Sequence, residues 1–316
     1  GLQMIKVDLI TGFLGSGKTT FLKKYARYLM DAGLNICILE NDFGAVNVDM
    51  MLLQDLMGEH CELEMIAGGC DEDCHRRRFK TKLISMGMCG YDRVLVEPSG
   101  IFDVDEFFDL LHEEPLDRWY EIGSVITIAD AGLEEHLSEE SEYLLASQLA
   151  PAGTVLLSKC QDVSEEIIVK TTSHLNSALE HFGCKRKLSD EIIAKDWEAL
   201  TAADFKAISD SGYKNESAAK LWFDSRKTFT SLYFLNVRLP ETDLRTVTEA
   251  LMTDTACGNI FRIKGFLLTD TGGWLELNAT HEQITIRPIA NGQEVLIVIG
   301  ENLVEETIKR HLYPEA

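Results

Sequence analysis

The chain has 316 residues, 45% of them hydrophobic, enough for one large core or two domains. Its formal net charge of −22, from 52 acidic and 30 basic side chains, argues against a nucleic-acid or anionic-membrane surface, since both are held by basic patches that release counterions. The short run Arg76-Arg77-Arg78 is no such patch, and no apolar stretch is long enough to span a bilayer.

In chain order, residues 5–10 read as a buried strand, followed by a Gly-rich loop and a helix from 18 to about 30 that Gly33 ends. Short apolar runs at 35–40, 63–67, 93–97, 125–129 and 154–158 read as further strands. Helical patterns fall between them, as at 103–111 and 164–181. Such alternation predicts a doubly wound, mostly parallel α/β sheet covered on both faces. Residues 185–222 read as helical and polar, with no partner assigned. Near residue 224 the pattern changes. A strand at 228–239 ends at Pro240, a helix covers 241–252, strands follow at 260–268, 274–277, 283–288 and 294–299, and a last helix covers 302–311. The expected division is therefore a nucleotide-binding domain at 1–222 and a smaller α+β domain at 223–316. The N-terminus lacks a charged-then-apolar leader pattern, and eight scattered cysteines in a chain this large read mainly as reduced core thiols. A cytoplasmic protein is expected.

The loop Gly12-Phe13-Leu14-Gly15-Ser16-Gly17-Lys18-Thr19 lies between a predicted strand and a predicted helix, the context a P-loop requires. Gly12, Gly15 and Gly17 let successive amides, with that of Ser16, curl around phosphate oxygens, and the helix N-terminus adds partial positive charge. Lys18 is placed for the β- and γ-phosphates, Thr19 for Mg²⁺ and Thr20 for the α-phosphate. Glu97 closes the run Val94-Leu95-Val96-Glu97 at the carboxyl end of a buried strand, where ligands sit in open α/β sheets. It would hold Mg²⁺ through water or position the attacking water. Asp42, in Asn41-Asp42-Phe43-Gly44, is either a switch carboxylate near Mg²⁺ or a turn residue. Lys18, Asp42 and Glu97 are thus the catalytic candidates. Ser158-Lys159-Cys160-Gln161-Asp162 stands where guanine-specific NTPases carry Asn-Lys-x-Asp. Ser158 replaces the Asn, Gln161 fills the slot of the specificity Asp with a single acceptor oxygen, and Asp162 comes one residue late. Lys159 can still lie along a base, and GTP/GDP is the favoured nucleotide.

Between Cys70 and His75 lie two thiols, three carboxylates and an imidazole. Cys70, Glu72, Asp73, Cys74 and His75 read either as ligands of zinc or a similar transition metal, or as an acid-capped helix start with two incidental thiols. His60 and Cys61 are further ligand candidates if folding brings them near.

Together these segments resemble the CobW-like family of P-loop GTPases, relatives of the UreG and HypB nickel-delivery proteins. The matching pieces are the P-loop, Asn41-Asp42-Phe43-Gly44, Gly69-Cys70, Glu97-Pro98-Ser99-Gly100, and, near the C-terminus, Phe261-Arg262-Ile263-Lys264-Gly265-Phe266 and Val298-Ile299-Gly300-Glu301-Asn302-Leu303. The resemblance implies Mg²⁺-dependent hydrolysis of GTP coupled to delivery of zinc or cobalt, or to cobalamin pathways, with a client metalloenzyme or corrinoid protein as partner. The family's metal motif is Cys-x-Cys-Cys. Here Cys70 matches its first Cys, Glu72 and Asp73 occupy the other two places, and Cys74 follows one residue later. Such a mixed oxygen and sulfur set shifts preference toward borderline ions. The alternative is a nucleotide-gated activator of a partner such as a corrinoid methyltransferase system, without metal cargo.

Overall fold

The computed structural model describes residues 3–12, 17–42, 53–67, 72–97, 104–137, 139–216, 230–281, 283–290 and 294–314; at 41–42, 67, 72–75, 140 and 230–231 the description is of the backbone. The chain forms two compact units, Gly1–Trp222 and Phe223–Ala316.

The first unit is built on seven strands: β1 (Ile5–Gly12), β2 (Ile36–Asp42), β3 (Cys61–Ala67), β4 (Arg93–Glu97), β5 (Tyr120–Asp130), β6 (Thr154–Ser158) and β7 (Ile192–Ile193). They pair in the order β3-β2-β4-β1-β5-β6-β7, every pair parallel. A parallel sheet is buried on both faces, which is why β4 and β6 have apolar centres, Val94-Leu95-Val96 and Val155-Leu156-Leu157, and are buried at every position. The crossover helices described are α1 (Lys18–Asp31), α2 (Glu72–Met86), α3 (Val104–Leu111), α4 (Glu139–Leu149) and α5 (Glu165–His181), with α6 (Ala202–Ser209) after β7. In α1, Phe21, Leu22, Tyr25, Ala26 and Leu29 share one buried face, the i, i+4 spacing of an amphipathic helix. Each large side chain there contributes roughly 2–3 kcal/mol by leaving water.

One polar cluster pins β1 from below. Asp8 is wholly buried where the β1–β5 register shifts. Its carboxylate accepts from Tyr25 Oη at 2.6 Å and from Ser124 N at 2.8 Å, and Arg93 lies 3.4 Å away. Burial pushes the Asp8 carboxyl above its ordinary value while Arg93 opposes the rise.

The structure corrects several sequence expectations. β5 extends well beyond 125–129, and α4 was not expected at all. Its sequence opens with acids, and Leu144, Leu145, Ala146 and Leu149 are buried around more than one side, so no clean periodicity shows. Among the described residues 185–216 the chain is not a polar helical segment: it holds β7, a 3₁₀ turn at Trp197–Ala199 and one helix, α6. Trp197, Phe205 and Ile208 belong to the core around α1. Trp197 meets Phe21 edge-on at 5.8 Å, and Phe205 stacks on Tyr28 at 5.5 Å. Three anchors among many polar residues carry this packing, which average composition conceals.

The second unit has strands β8 (Thr230–Leu235), β9 (Asn259–Leu268), β10 (Trp274–Ala279), β11 (Ile284–Ile289) and β12 (Val295–Glu301). They pair in the order β11-β10-β9-β12-β8, all antiparallel. The helices α7 (Glu241–Thr253) and α8 (Glu305–Leu312) contribute Leu244, Leu251, Ile308 and Leu312 to one core with Ile263, Leu277 and Val298. Alternating burial along β10 marks the one covered face. β8 stops before Pro240 because Asn236 turns left-handed (φ 53°), and α8 starts later than expected because Asn302 does the same (φ 52°).

Candidate nucleotide site

β1 sits between β4, reached after the chain has wound to one edge of the sheet, and β5, where winding to the other edge begins. That is the topological switch point, where the carboxyl ends of strands leave a crevice. Gly12 ends β1 there, and α1 begins at Lys18. Gly17 has φ 96°, a left-handed turn that costs a residue with a Cβ, and the Trp197 ring lies 3.5 Å from where that Cβ would stand. No side chain caps α1 and no acid lies in its first turn, so its leading amides are available to an anion. Gly15 and Ser16, the middle of the predicted cradle, fall outside the described residues.

The two charged groups expected to face the phosphates meet. Lys18 Nζ lies 3.8 Å from Glu97 Oε1, with side chains only 11% and 9% exposed. Glu97 Oε2 is buried and has no hydrogen-bond partner among the described residues. A buried carboxylate oxygen left unpaired is costly, and a hard cation with its water shell would satisfy it. The residues present therefore fit a magnesium–phosphate group. Glu40 stands opposite Glu97 in the β2–β4 register and is also buried, a second acid at this edge that sequence reading passed over as a strand end. Asp42 closes β2 at the same edge, its side chain outside the described residues. Thr19 is half-buried and Thr20 exposed.

The predicted base-reading loop lies at the end of β6. Lys159 adopts the left-handed conformation (φ 61°), and its Nζ donates to Asp130 Oδ2 at 3.1 Å. Asp130 ends β5 opposite Ser158 and also accepts from Gly132 N at 2.8 Å, so its turn is rigid. Ser158 is buried and bonded to Ala129 O at 3.4 Å, which makes it a strut of the loop. Gln161 and Asp162 sit exposed in a single 3₁₀ turn, Cys160–Asp162. Trp197 links this loop to the phosphate end. Its Nε1 donates to Leu157 O at 3.1 Å while its ring rests against Gly17. Asp130 was legible as a carboxylate ending a buried strand; Trp197 carried no local signal.

Cys70 lies outside the described residues, as do the side chains of Glu72, Asp73, Cys74 and His75, although the backbone opens α2 at Glu72. Cys61 is buried at the start of β3, with its thiol pushed up to about 11 by burial, and His60 Nδ1 is bonded to Asn35 Oδ1 at 2.8 Å. At roughly 3.3 Å per strand residue, they sit at the far end of β3 from the Cys70 loop. Cys37, Cys160, Cys184 and Cys257 are also buried, as core thiols should be, and Cys89 is exposed. No described helix is long and apolar enough to cross a membrane.

Comparison with known proteins agrees with this geometry. Residues 6–185 match the family model described as CobW/HypB/UreG, nucleotide-binding domain, and residues 236–313 match the cobalamin synthesis protein cobW C-terminal domain. The zinc chaperone YeiR of Escherichia coli K12 is 30% identical over 52% of this chain and 49% of its own length. The zinc chaperone YjiA of the same organism is 31% identical over 52% of each. The chain thus spans about half the length of these curated relatives. The zinc-regulated GTPase metalloprotein activator 1 of Dictyostelium discoideum is 25% identical over 99% of this chain and 71% of its own. Among solved structures, Zn(II)-bound YjiA GTPase from E. coli aligns over 100% of both chains at 19% identity, with a TM-score of 0.38.

Proposed function

The chain belongs to the family of CobW/HypB/UreG nucleotide-binding domains, joined to a CobW C-terminal domain, and from that premise we propose that it is a GTPase that loads or delivers a zinc-class metal ion. The observation that carries the nucleotide half is the buried Lys18–Glu97 contact at the switch point, with an unpartnered carboxylate oxygen beside it.

Lys18 and Glu97 face each other as an ion pair. An incoming triphosphate competes for the ammonium, because phosphate oxygens carry more charge than one carboxylate and lie at the helix N-terminus. Glu97 is then free to face the cation side of the site. Mg²⁺, held through the Thr19 hydroxyl and the carboxylate edge of Glu97 and Asp42, would neutralise charge on the β–γ bridge. Lys18 and the loop amides would position the phosphates, which supplies most of the catalysis in phosphoryl transfer. On the base side, Asp130 fixes the Lys159 stem for stacking along guanine, with Gln161 and Asp162 at the mouth. Supporting the cargo half are the zinc-chaperone relatives and the pairing of Asp42 with Ala67, the last residue of β3 and three positions before Cys70 in the sequence. Nucleotide state at Asp42 would change the Cys70 site.

The test is zinc affinity measured in the presence of GDP and of a non-hydrolysable GTP analogue. Unequal affinities that become equal in a Cys70→Ser, Cys74→Ser double variant are expected. Equal affinities in the unaltered chain would sink the coupling, since an effector without differential binding shifts nothing. A nucleotide-gated activator without cargo would show GTP hydrolysis with unchanged metal stoichiometry in that variant.

A further inference from the structure

The C-terminal unit gathers three dissimilar metal-binding side chains that the nucleotide site does not use. A carboxylate oxygen of Asp254, Sγ of Cys257 and a ring nitrogen of His311 all lie within 4.8 Å of one another, the one such group among the described residues. Asp254 Oδ2 stands in the middle, 2.8 Å from His311 Nε2 and 3.7 Å from Cys257 Sγ. Cys257 is buried, while Asp254 and His311 are half-buried, so the group opens to solvent on one side.

The backbone holds these residues before any ion arrives. Asp254 ends α7 and caps the 3₁₀ turn Thr255–Cys257, its Oδ1 accepting from Ala256 N at 3.0 Å. Val304 N donates to Cys257 O at 3.0 Å, tying the turn to the entry of α8. Gly258, at φ 93°, lets that segment approach so closely that a Cβ would stand 2.3 Å from Asn302 O. Ile308 and Leu312 bury α8 against the sheet and set the height of His311 in its last turn.

A tetrahedral zinc-class ion with sulfur, nitrogen and oxygen ligands needs its ligand atoms about 3.3–3.7 Å apart. The thiol–carboxylate spacing already meets that. The imidazole–carboxylate pair would open by about half an ångström. Thiolate with imidazole favours zinc-class ions over Mg²⁺ or Ca²⁺. A nucleophilic cysteine is the poorer reading, because the thiol is directed to the carboxylate and His311 is held by that same carboxylate, leaving no base on sulfur.

We propose that Asp254, Cys257 and His311 form a second transition-metal site, for a zinc-class divalent ion, whose fourth position is open to water or an exchanging ligand. Three protein ligands and one open position suit an ion that is passed on. The site shares no residue with the nucleotide-gated reading and stands or falls apart from it.

The test uses the full-length chain carrying Cys70→Ser and Cys74→Ser, titrated with Co²⁺ without nucleotide. One high-affinity ion with a sulfur-to-cobalt charge-transfer band is expected. Cys257→Ser added to that background should abolish the band. His311→Gln, which keeps the hydrogen bond to Asp254 within reach, should weaken binding on the order of tenfold or more. If Cys257→Ser fails to fold, His311→Gln decides. No band in the background protein, or a band and affinity unmoved by the variants, would overturn the site and leave the cluster as an ion-paired helix cap.

Discussion

Lys18 and Glu97 stand close because neither can be buried alone: an isolated charge in a dry interior costs several kcal/mol, and a mutual contact offsets part of it. That makes Lys18→Ala informative twice over. It removes a charge-assisted phosphate contact, which should weaken nucleotide binding about 10- to 100-fold and abolish turnover, as measured by calorimetric titration and phosphate release. Glu97→Gln keeps the shape and removes the charge. If the carboxylate serves the cation side, turnover should fall on the order of 10²–10³-fold with a smaller change in nucleotide affinity. A turnover equal to that of the unaltered chain would remove Glu97 from the mechanism. Asp8 is polar and buried for a different reason. It gathers Tyr25, Ser124 and Arg93 beneath β1, so Asp8→Ala leaves the buried Arg93 charge without its carboxylate and the Tyr25 hydroxyl and Ser124 amide without their acceptor, and should cost roughly 3–5 kcal/mol in denaturant unfolding.

Among the elements, the 3₁₀ turn bearing Trp197 joins the two ends of the site. Truncation to Ala opens a cavity between α1 and β6 and releases the Leu157 carbonyl. A loss of about 3–5 kcal/mol is expected, with poorer discrimination of GTP from ATP as the Ser158–Lys159 turn loosens. Stability loss with unchanged nucleotide preference would show that the tryptophan is packing alone. A second inter-element tie is Glu113, which accepts from Arg76 and Lys80 of α2. Those two donors hold its carboxyl below the ordinary 4.5. The folded value is the lower one, so this tie stabilises above the unfolded value and its contribution fades as pH drops through 4.5 and below. Glu113→Gln should flatten that acid limb of the stability curve, by a small amount because the pair is a third exposed.

The whole molecule has two compact units with separate cores, and in the reading given above the nucleotide touches only the first. Saturating GTP with Mg²⁺ at a hundred times its dissociation constant should stabilise the unit of Gly1–Trp222 by about 2.7 kcal/mol, visible as a raised melting transition, and at the same concentration Lys18→Ala should cut this to about 0.4–1.4 kcal/mol. The parallel-then-antiparallel architecture was legible in the chain because burial on two faces or one leaves its mark on the strands: three successive apolar residues at the centre of β4, alternating burial along β10. The phosphate loop was legible because its glycines, lysine and hydroxyl are contiguous and flanked by strand and helix, so the backbone geometry they require is local. By itself, then, the sequence determined the fold class and the family, and it put forward the phosphate-binding candidates. Only tertiary structure decided that Lys18 meets Glu97, that Asp130 holds Lys159, that Trp197 wedges beneath the base loop, and that Asp254, Cys257 and His311 converge. Those contacts join residues 29 to 79 positions apart, apart from the short Asp254–Cys257 turn, and a separation of that kind leaves no period or motif in the chain. They exist because folding closes long loops whose entropic cost grows only slowly with length, and burial of the intervening cores meets it.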